Sequence, residues 1–331
     1  MSERAVRTSD EERQRRRVVA RVRGSEHGPT LIGIGGIHGN EPAGIEALRR
    51  VGEELGGRNE GVRGQFVALA GNLSALAKGR RYLARDLNRA WLPERIETLG
   101  AGKDTPLYAE GREQAEMLAM LAQVFAQSTD KVYLIDLHTA SGDGTSFVAA
   151  ADSPDARSFA ATIPLPMILG LTRHLDGTLL EYVTGLGYTA VAVEGGQHHS
   201  SESVDFLETA LWLALDSAGI IREGDWHDIS RMRDEFARLA PNAPRRLTIR
   251  YRHAIVPEDD FRMESGFENF QSVNEGHVVG RDRTGEVRAP CSGLIVLPLY
   301  QNLGEDGFFI GTALNWVCAV GQVSLARALP P

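Results

Sequence analysis

Three observations predict an α/β fold: a mixed sheet covered by helices, followed by a smaller β domain. Short apolar runs rich in branched residues alternate with helical patterns over the first two thirds of the chain. The texture then changes at "LAPNAPRR", residues 239 to 246, where two prolines, an asparagine and two arginines interrupt it. Beyond that point, alternating stretches such as "GHVVGRD" and "GLIVLPLY" are punctuated by Gly and Pro and show little helical period. A chain of 331 residues, 42% hydrophobic and 24% charged, is long enough for both parts. The expected division is an α/β domain over residues 1–240 and a β domain over 241–331.

Each element has its own reason. The basic run Arg13, Arg15, Arg16, Arg17, Arg21 and Arg23 is offset by Glu11, Glu12 and Glu26, and reads as a solvated arm leading into a strand. Apolar runs predict strands over Thr30 to Ile34, Gln65 to Ala70, Val132 to Asp136 and Thr189 to Val193. Pro42 and Ala43 open a helix with Ile45, Leu48, Val51 and Leu55 on one face. Helical spacing recurs in Leu118, Leu121 and Phe125, and in Val204, Leu207, Leu211 and Leu215, which are read as core stripes. No internal repeat or low-complexity segment interrupts the pattern.

Bulk properties exclude several classes. A net charge of −8 leaves no electrostatic footprint for nucleic acid. Two cysteines, Cys291 and Cys318, are too few for a disulfide scaffold and lack thiolate metal spacing, so both are expected as free buried thiols in a reducing compartment. No apolar stretch approaches the roughly 18 residues of a membrane span, and the N-terminus lacks the apolar core of a signal peptide. A cytoplasmic protein is expected.

The stretch "GIGGIHGNEPAG", residues 33 to 44, sets a choice between a phosphate cradle and a metal loop. A dinucleotide fingerprint starting at Gly33 and Gly35 needs glycine at position 38, where His38 stands, and no Walker-type motif occurs. No G-x-S-x-G elbow occurs either. A tight glycine turn after a strand would instead let His38 and Glu41 project toward one ion. Their spacing alone arises often by chance. "VYLIDLHTASGDG", residues 132 to 144, adds His138 at the end of another strand. Two histidines and one carboxylate form an established catalytic zinc set with a fourth position open. The plainer alternative for His138 is an imidazole satisfied by a backbone carbonyl. Asp136, two residues earlier, falls on the same strand face and could brace it.

The stretches "GIHGNEPAG", "RYLARDLNR" and "DLHTASG", in that order, resemble the succinylglutamate desuccinylase and aspartoacylase family of zinc-dependent amidohydrolases, relatives of the zinc carboxypeptidases. The likeness runs over nearly the whole chain, including a C-terminal stretch with "APCSGLIVLP". It implies a carboxypeptidase-like sheet with a smaller β domain beside the site, and one zinc per chain held by His38, Glu41 and His138. It further implies that Arg81 polarises the scissile carbonyl and that Asn88 and Arg89 grip a substrate carboxylate. A guanidinium fork suits both tasks. Glu194, closing the apolar run of "VAVEGGQHH", matches the catalytic glutamate that would take a proton from zinc-activated water and pass it to the departing nitrogen. His198 and His199, after a Gly-Gly turn, are read as surface loop or pocket lining.

One departure matters. Members acting on acylated aspartate carry an arginine some ten residues before the catalytic glutamate, and "LLEYVTGLGYTA", residues 179 to 190, has none. Arg173 or His174 would have to substitute from a distance. The reading that follows is a deacylase of a small N-acyl amino acid or related compound, with no nucleic acid or membrane partner and with homo-oligomerisation open. Its rivals are a metallocarboxypeptidase acting on peptides and a catalytically silent metal or ligand-binding module.

Overall fold

The computed structural model describes residues 16–100, 108–222, 224 and 226–314. Its strands are β1 Val18–Arg23, β2 Glu26–Gly35, β3 Arg63–Ala70, β4 Val132–Ala140, β5 Phe147–Ala150, β6 Met167–Leu169, β7 Thr189–Gln197, β8 Arg246–Ala254, β9 Arg262–Met263, β10 Ser272–Val273, β11 Val278–Asp282, β12 Gly285–Arg288, β13 Gly293–Val296 and β14 Asp306–Ala313. Its helices are α1 Ala43–Gly57, α2 Leu73–Leu76, α3 Pro93–Gly100, α4 Ala109–Gln127, α5 Pro154–Ala160, α6 Leu179–Gly185, α7 Glu202–Ala218 and α8 Ile229–Arg238. Eleven strands form one mixed sheet in the order β1-β3-β2-β4-β7-β5-β6-β8-β14-β13-β10, and β12-β11-β9 form a small antiparallel sheet.

The middle of the large sheet, β3-β2-β4-β7, is parallel. Parallel strands are covered on both faces, which is why their sequences read as unbroken apolar runs. Alternate residues go to opposite faces. Leu31, Ile135 and Val191 join Leu48, Val51 and Leu55 of α1 and Leu207, Leu211 and Leu215 of α7. Ile32, Leu134 and Ala190 join Met117, Leu121 and Val124 of α4 and Leu179 and Val183 of α6 on the other. A third apolar cluster, including Phe267, Val273, Val279, Ile295 and Phe308, lies in the C-terminal part.

The chain runs from β2 to β3 on one side and returns to β4 on the other. That reversal opens a crevice at the carboxyl ends of β2 and β4, the usual ligand position in such sheets. Close backbone approach shapes it: a Cβ on Gly35 would lie 2.7 Å from the carbonyl carbon of Gly44, so the start of α1 sits directly on the end of β2. Gly36, at φ +65°, then turns the chain in the left-handed region. Across residue 246 the ladder continues, since β8 pairs in parallel with β6 and antiparallel with β14.

Three expectations need correction. The basic arm is not solvated throughout, because Arg17 is fully buried. Its guanidinium donates to the Ala70 carbonyl at 2.9 Å, to that of Gly71, and pairs with Glu113 and Glu116. Carbonyls at the end of β3 need donors there, and a fork flanked by carboxylates supplies them. Arg13 and Arg15 lie outside the described residues. Cys291 is a free but half-buried thiol, and Cys318 lies outside the described residues. Ile45 of α1 is half-buried, whereas Leu48, Val51 and Leu55 are buried as expected.

Candidate active site

β2 ends at Gly35 and hands the chain to His38 and Glu41, while β4 continues through His138 to Ala140, past the predicted end at Asp136. All three side chains are buried. His38 Nδ1 lies 2.8 Å from one Glu41 carboxylate oxygen, and His138 Nδ1 lies 3.0 Å from the other. The backbone N–H of Thr139 donates to Glu41 at 3.0 Å. One ligand atom from each of the three residues lies within 4.8 Å of the others. Glu41 and His138 thus meet across 97 positions of chain.

The far nitrogens are held as well. His38 Nε2 lies 3.1 Å from Asp86 Oδ1, and His138 Nε2 lies 2.9 Å from Asp136 Oδ2. Asp136 thus braces His138 as its place on the strand suggested. Asp86 is the counterpart that the sequence reading passed over, although it stands inside "RYLARDLNR". Arg81 Nε and Nη2 donate to Asp86 Oδ2 at 3.2 and 3.0 Å, and Arg81 Nη1 is 3.7 Å from Glu41. Burial opposes charge on each group, yet the partners outweigh it. Glu41 is held well below the usual carboxylate range by His38 and His138, and Asp86 likewise by His38 and Arg81. His138 is raised well above its ordinary value by Asp136 and Glu41, and Arg81 is raised by Asp86 and Glu41.

The loop carrying Arg81 is fixed from behind by Glu110 of α4. This buried carboxylate accepts from the backbone N–H groups of Leu83, Ala84 and Arg85 at 2.6, 3.1 and 3.4 Å. Arg81's carbonyl in turn accepts from the N–H of Gly39 at 3.1 Å, joining the two loops. Asp86 Oδ1 accepts from Asn88 N at 2.8 Å, closing the turn that carries Asn88 and Arg89.

Arg81, Asn88, Arg89, Glu194 and His198 line one cavity together with His38, Glu41 and His138. Glu194 stands on β7 beside His138 of β4. Its Oε2 is enclosed without a hydrogen-bond partner. Burial, with Glu41 and Asp136 adding to it against His138 and Arg81, pushes the carboxyl up to about 8. His198 lines the cavity, with Nδ1 2.8 Å from Thr139 Oγ1, while His199 is exposed. Burial pushes His198 below its ordinary value.

Two sequence expectations meet a different arrangement. Arg89 reaches the cavity, but its Nη2 donates to Asp306 Oδ2 at 2.5 Å, a residue that no motif singled out. Asn88 Oδ1 accepts from Leu179 N at 2.9 Å, leaving its amide N–H groups as the donor end. Arg173 does not substitute for the missing arginine: its side chain is 68% exposed and paired with Asp152. Nor does His174 line the cavity; its carbonyl accepts from Arg252 Nη1 at 3.0 Å.

Comparison with known proteins agrees with the motifs. Succinylglutamate desuccinylases of Pseudomonas aeruginosa (strain LESB58) and Photorhabdus laumondii are 36% identical over 116 residues and 35% identical over 115. These matches cover 35% and 34% of this chain, so it spans about a third, 32% and 33%, of those curated relatives. The fold resembles the ectoine utilization protein EutE (DoeB) from Ruegeria pomeroyi, with a TM-score of 0.62 at 20% identity over 88% of this chain and 87% of that one. It also resembles a succinylglutamate desuccinylase/aspartoacylase from Rhodobacter sphaeroides, with a TM-score of 0.63 at 19% identity over 90% and 88%. Residues 27–213 match the succinylglutamate desuccinylase/aspartoacylase catalytic domain, and the chain belongs to that family.

Proposed function

We propose that the protein is a cytoplasmic, zinc-dependent deacylase that cleaves the acyl-amide bond of a small N-acyl amino acid. The proposed ligands and base fall in the domain expected over residues 1–240, and the part expected over 241–331 lines the cavity with residues between Leu297 and Phe309. The arrangement about Glu41 carries this reading. Two imidazoles turn their Nδ1 atoms to its two oxygens, and each is held from behind by an aspartate. That buried donor set, two nitrogens and a carboxylate with room beside it, fits a catalytic zinc with an open position. Zinc bound there supplies Lewis acidity toward water and the amide carbonyl.

This chain's own groups do the rest. Glu194 accepts a proton from the attacking water at its unpartnered Oε2 and returns it to the departing nitrogen. Arg81, fixed by Asp86, opposes the negative charge that develops on the carbonyl oxygen. Asn88 Nδ2 and Arg89 orient the amide through the substrate carboxylate. Phe147, Leu180 and Phe309 line the cavity and exclude water from it.

A peptidase would need an open groove. Here Asn40 Nδ2 donates to Gln301 Oε1 at 2.7 Å and Tyr300 N donates to Ser141 Oγ at 3.0 Å, which ties the C-terminal segment to the loops beside Glu41 and His138 and supports small substrates over long peptides. A silent binding module would be expected to lack the base or a ligand, and every position is filled. The test is metal analysis followed by a screen of N-acyl amino acids and short peptides. About one zinc per chain is expected, lost in His38→Ala, with N-acyl amino acids turned over ahead of peptides. A fully zinc-loaded protein that hydrolyses none of them removes the reading.

A further inference from the structure

The partner of Arg89 bears on substrate class. Asp306, at the start of β14, is gripped from two sides: Arg89 Nη2 donates to its Oδ2 at 2.5 Å and Arg252 Nε donates to its Oδ1 at 2.5 Å. Both oxygens are therefore engaged. Arg89 Nη1 donates to the Asn88 carbonyl at 2.8 Å, and Arg89 Nε is enclosed with no partner. Asp306 thus takes one half of the Nε–Nη2 edge with which a guanidinium binds a carboxylate bidentately, and leaves the other half. The second guanidinium lining the cavity, Arg81, is held by Asp86 and Glu41.

The lining beside Arg89 points the same way. The first turn of α6, whose Leu179 N–H donates to Asn88 Oδ1 at 2.9 Å, contributes Leu180 after Thr178, and Leu171, Leu175 and Phe309 add apolar surface to the same cavity. Beyond Arg81 and Arg89 the cavity offers a second carboxylate no further guanidinium or ammonium: besides apolar carbon it presents uncharged donors such as Ser141, Thr172, Thr178 and Gln301, and the carboxylates of Glu305 and Asp306. Desolvating an anion against such a surface is unfavourable. Resting on the deacylase reading above, we propose that Asp306 sets the specificity of this pocket: by committing Arg89 to a bridge shared with Arg252, it confines the site to N-acyl amino acids that carry one carboxylate and are otherwise uncharged and largely apolar.

The experiment compares the zinc-loaded wild type with Asp306→Asn in two ways. The first is kcat/KM for N-acetyl-leucine against N-acetyl-aspartate. The second is calorimetric binding of butyrate against succinate, which match in length and differ by one carboxylate and need no turnover. The wild type should favour N-acetyl-leucine and butyrate. In Asp306→Asn both ratios should move toward the dicarboxylate by about tenfold or more, since juxtaposed like charges are worth that much or more across an interface. Arg252→Gln, which leaves Asp306 to Arg89 alone, should not move them that way, separating the charge effect from general loosening. A wild type that prefers N-acetyl-aspartate or succinate overturns the proposal, as does a folded Asp306→Asn with both ratios unchanged. If the wild type cleaves no N-acyl amino acid, the deacylase reading falls on its own, and the butyrate and succinate affinities still decide the role of Asp306.

Discussion

Glu194 and Asp86 serve the same cluster in different ways, and single substitutions should separate them. Glu194→Gln keeps the shape of the side chain and removes its proton acceptor. Turnover should fall by about two orders of magnitude or more, with zinc content unchanged by elemental analysis. Wild-type turnover in that variant would take Glu194 out of the reaction, and loss of zinc would make it a ligand. Asp86→Ala removes the carboxylate behind His38 and the partner of Arg81 together. Zinc affinity should drop by about 10- to 100-fold in chelator competition, and unaltered affinity would reduce Asp86 to an anchor for Arg81. Of these groups the sequence singled out His38, Glu41 and His138 by their motifs and spacing and Glu194 through the family resemblance, and the structure brings all four to one cavity. Asp86 stands inside "RYLARDLNR", where spacing alone does not separate a carboxylate that braces a histidine 48 positions away from one that faces solvent. Asp306 had no such signal, since 217 residues separate it from Arg89 and its "EDGFF" context reads as an ordinary turn into a strand.

At the scale of elements, α4 matters through Glu110, which holds three consecutive backbone N–H groups of the Arg81 loop. Glu110→Ala removes their shared acceptor from a partly buried loop. About 1–3 kcal/mol of stability should be lost in urea melts, the scale for buried donors left unsatisfied, and kcat should fall as Arg81 loses its support. A stable variant with full turnover would show that the loop holds itself. On α1, the half-buried Glu46 is held down at about 2 by hydrogen bonding from Arg49 and then Arg50. Its folded value lies below the ordinary 4.5, so its contribution is present above that pH and is lost as pH falls toward about 2. Glu46→Gln should flatten the Tm profile across that window at low salt, with little effect at high salt; an unchanged slope would show the pairs to be inert. Central strands were readable because burial on both faces leaves apolar runs. The pairing of β8 with β6 and β14 was not, because β6 has three residues and its partner lies some eighty residues away, leaving no local period.

Across the whole molecule, the ligands proposed for zinc come from β4 and from the turn between β2 and α1, so an ion bound there would fasten the centre of the sheet. Chelation should lower Tm, and a site held at 1,000 times its Kd corresponds to about 4 kcal/mol. Identical melting curves with and without chelator would argue against an ion bound at the cluster. The bridge between Arg89 and Asp306 also has a consequence during synthesis. A ribosome adds about 5–20 residues per second, so Asp306, 217 positions after Arg89, emerges roughly 10–40 s later. The three ligands and Glu194 are all present before it. On the readings proposed above, the residues that would take up metal are therefore synthesised well before the residue that would limit what enters, so the order of synthesis puts the metal set ahead of the group that selects the substrate.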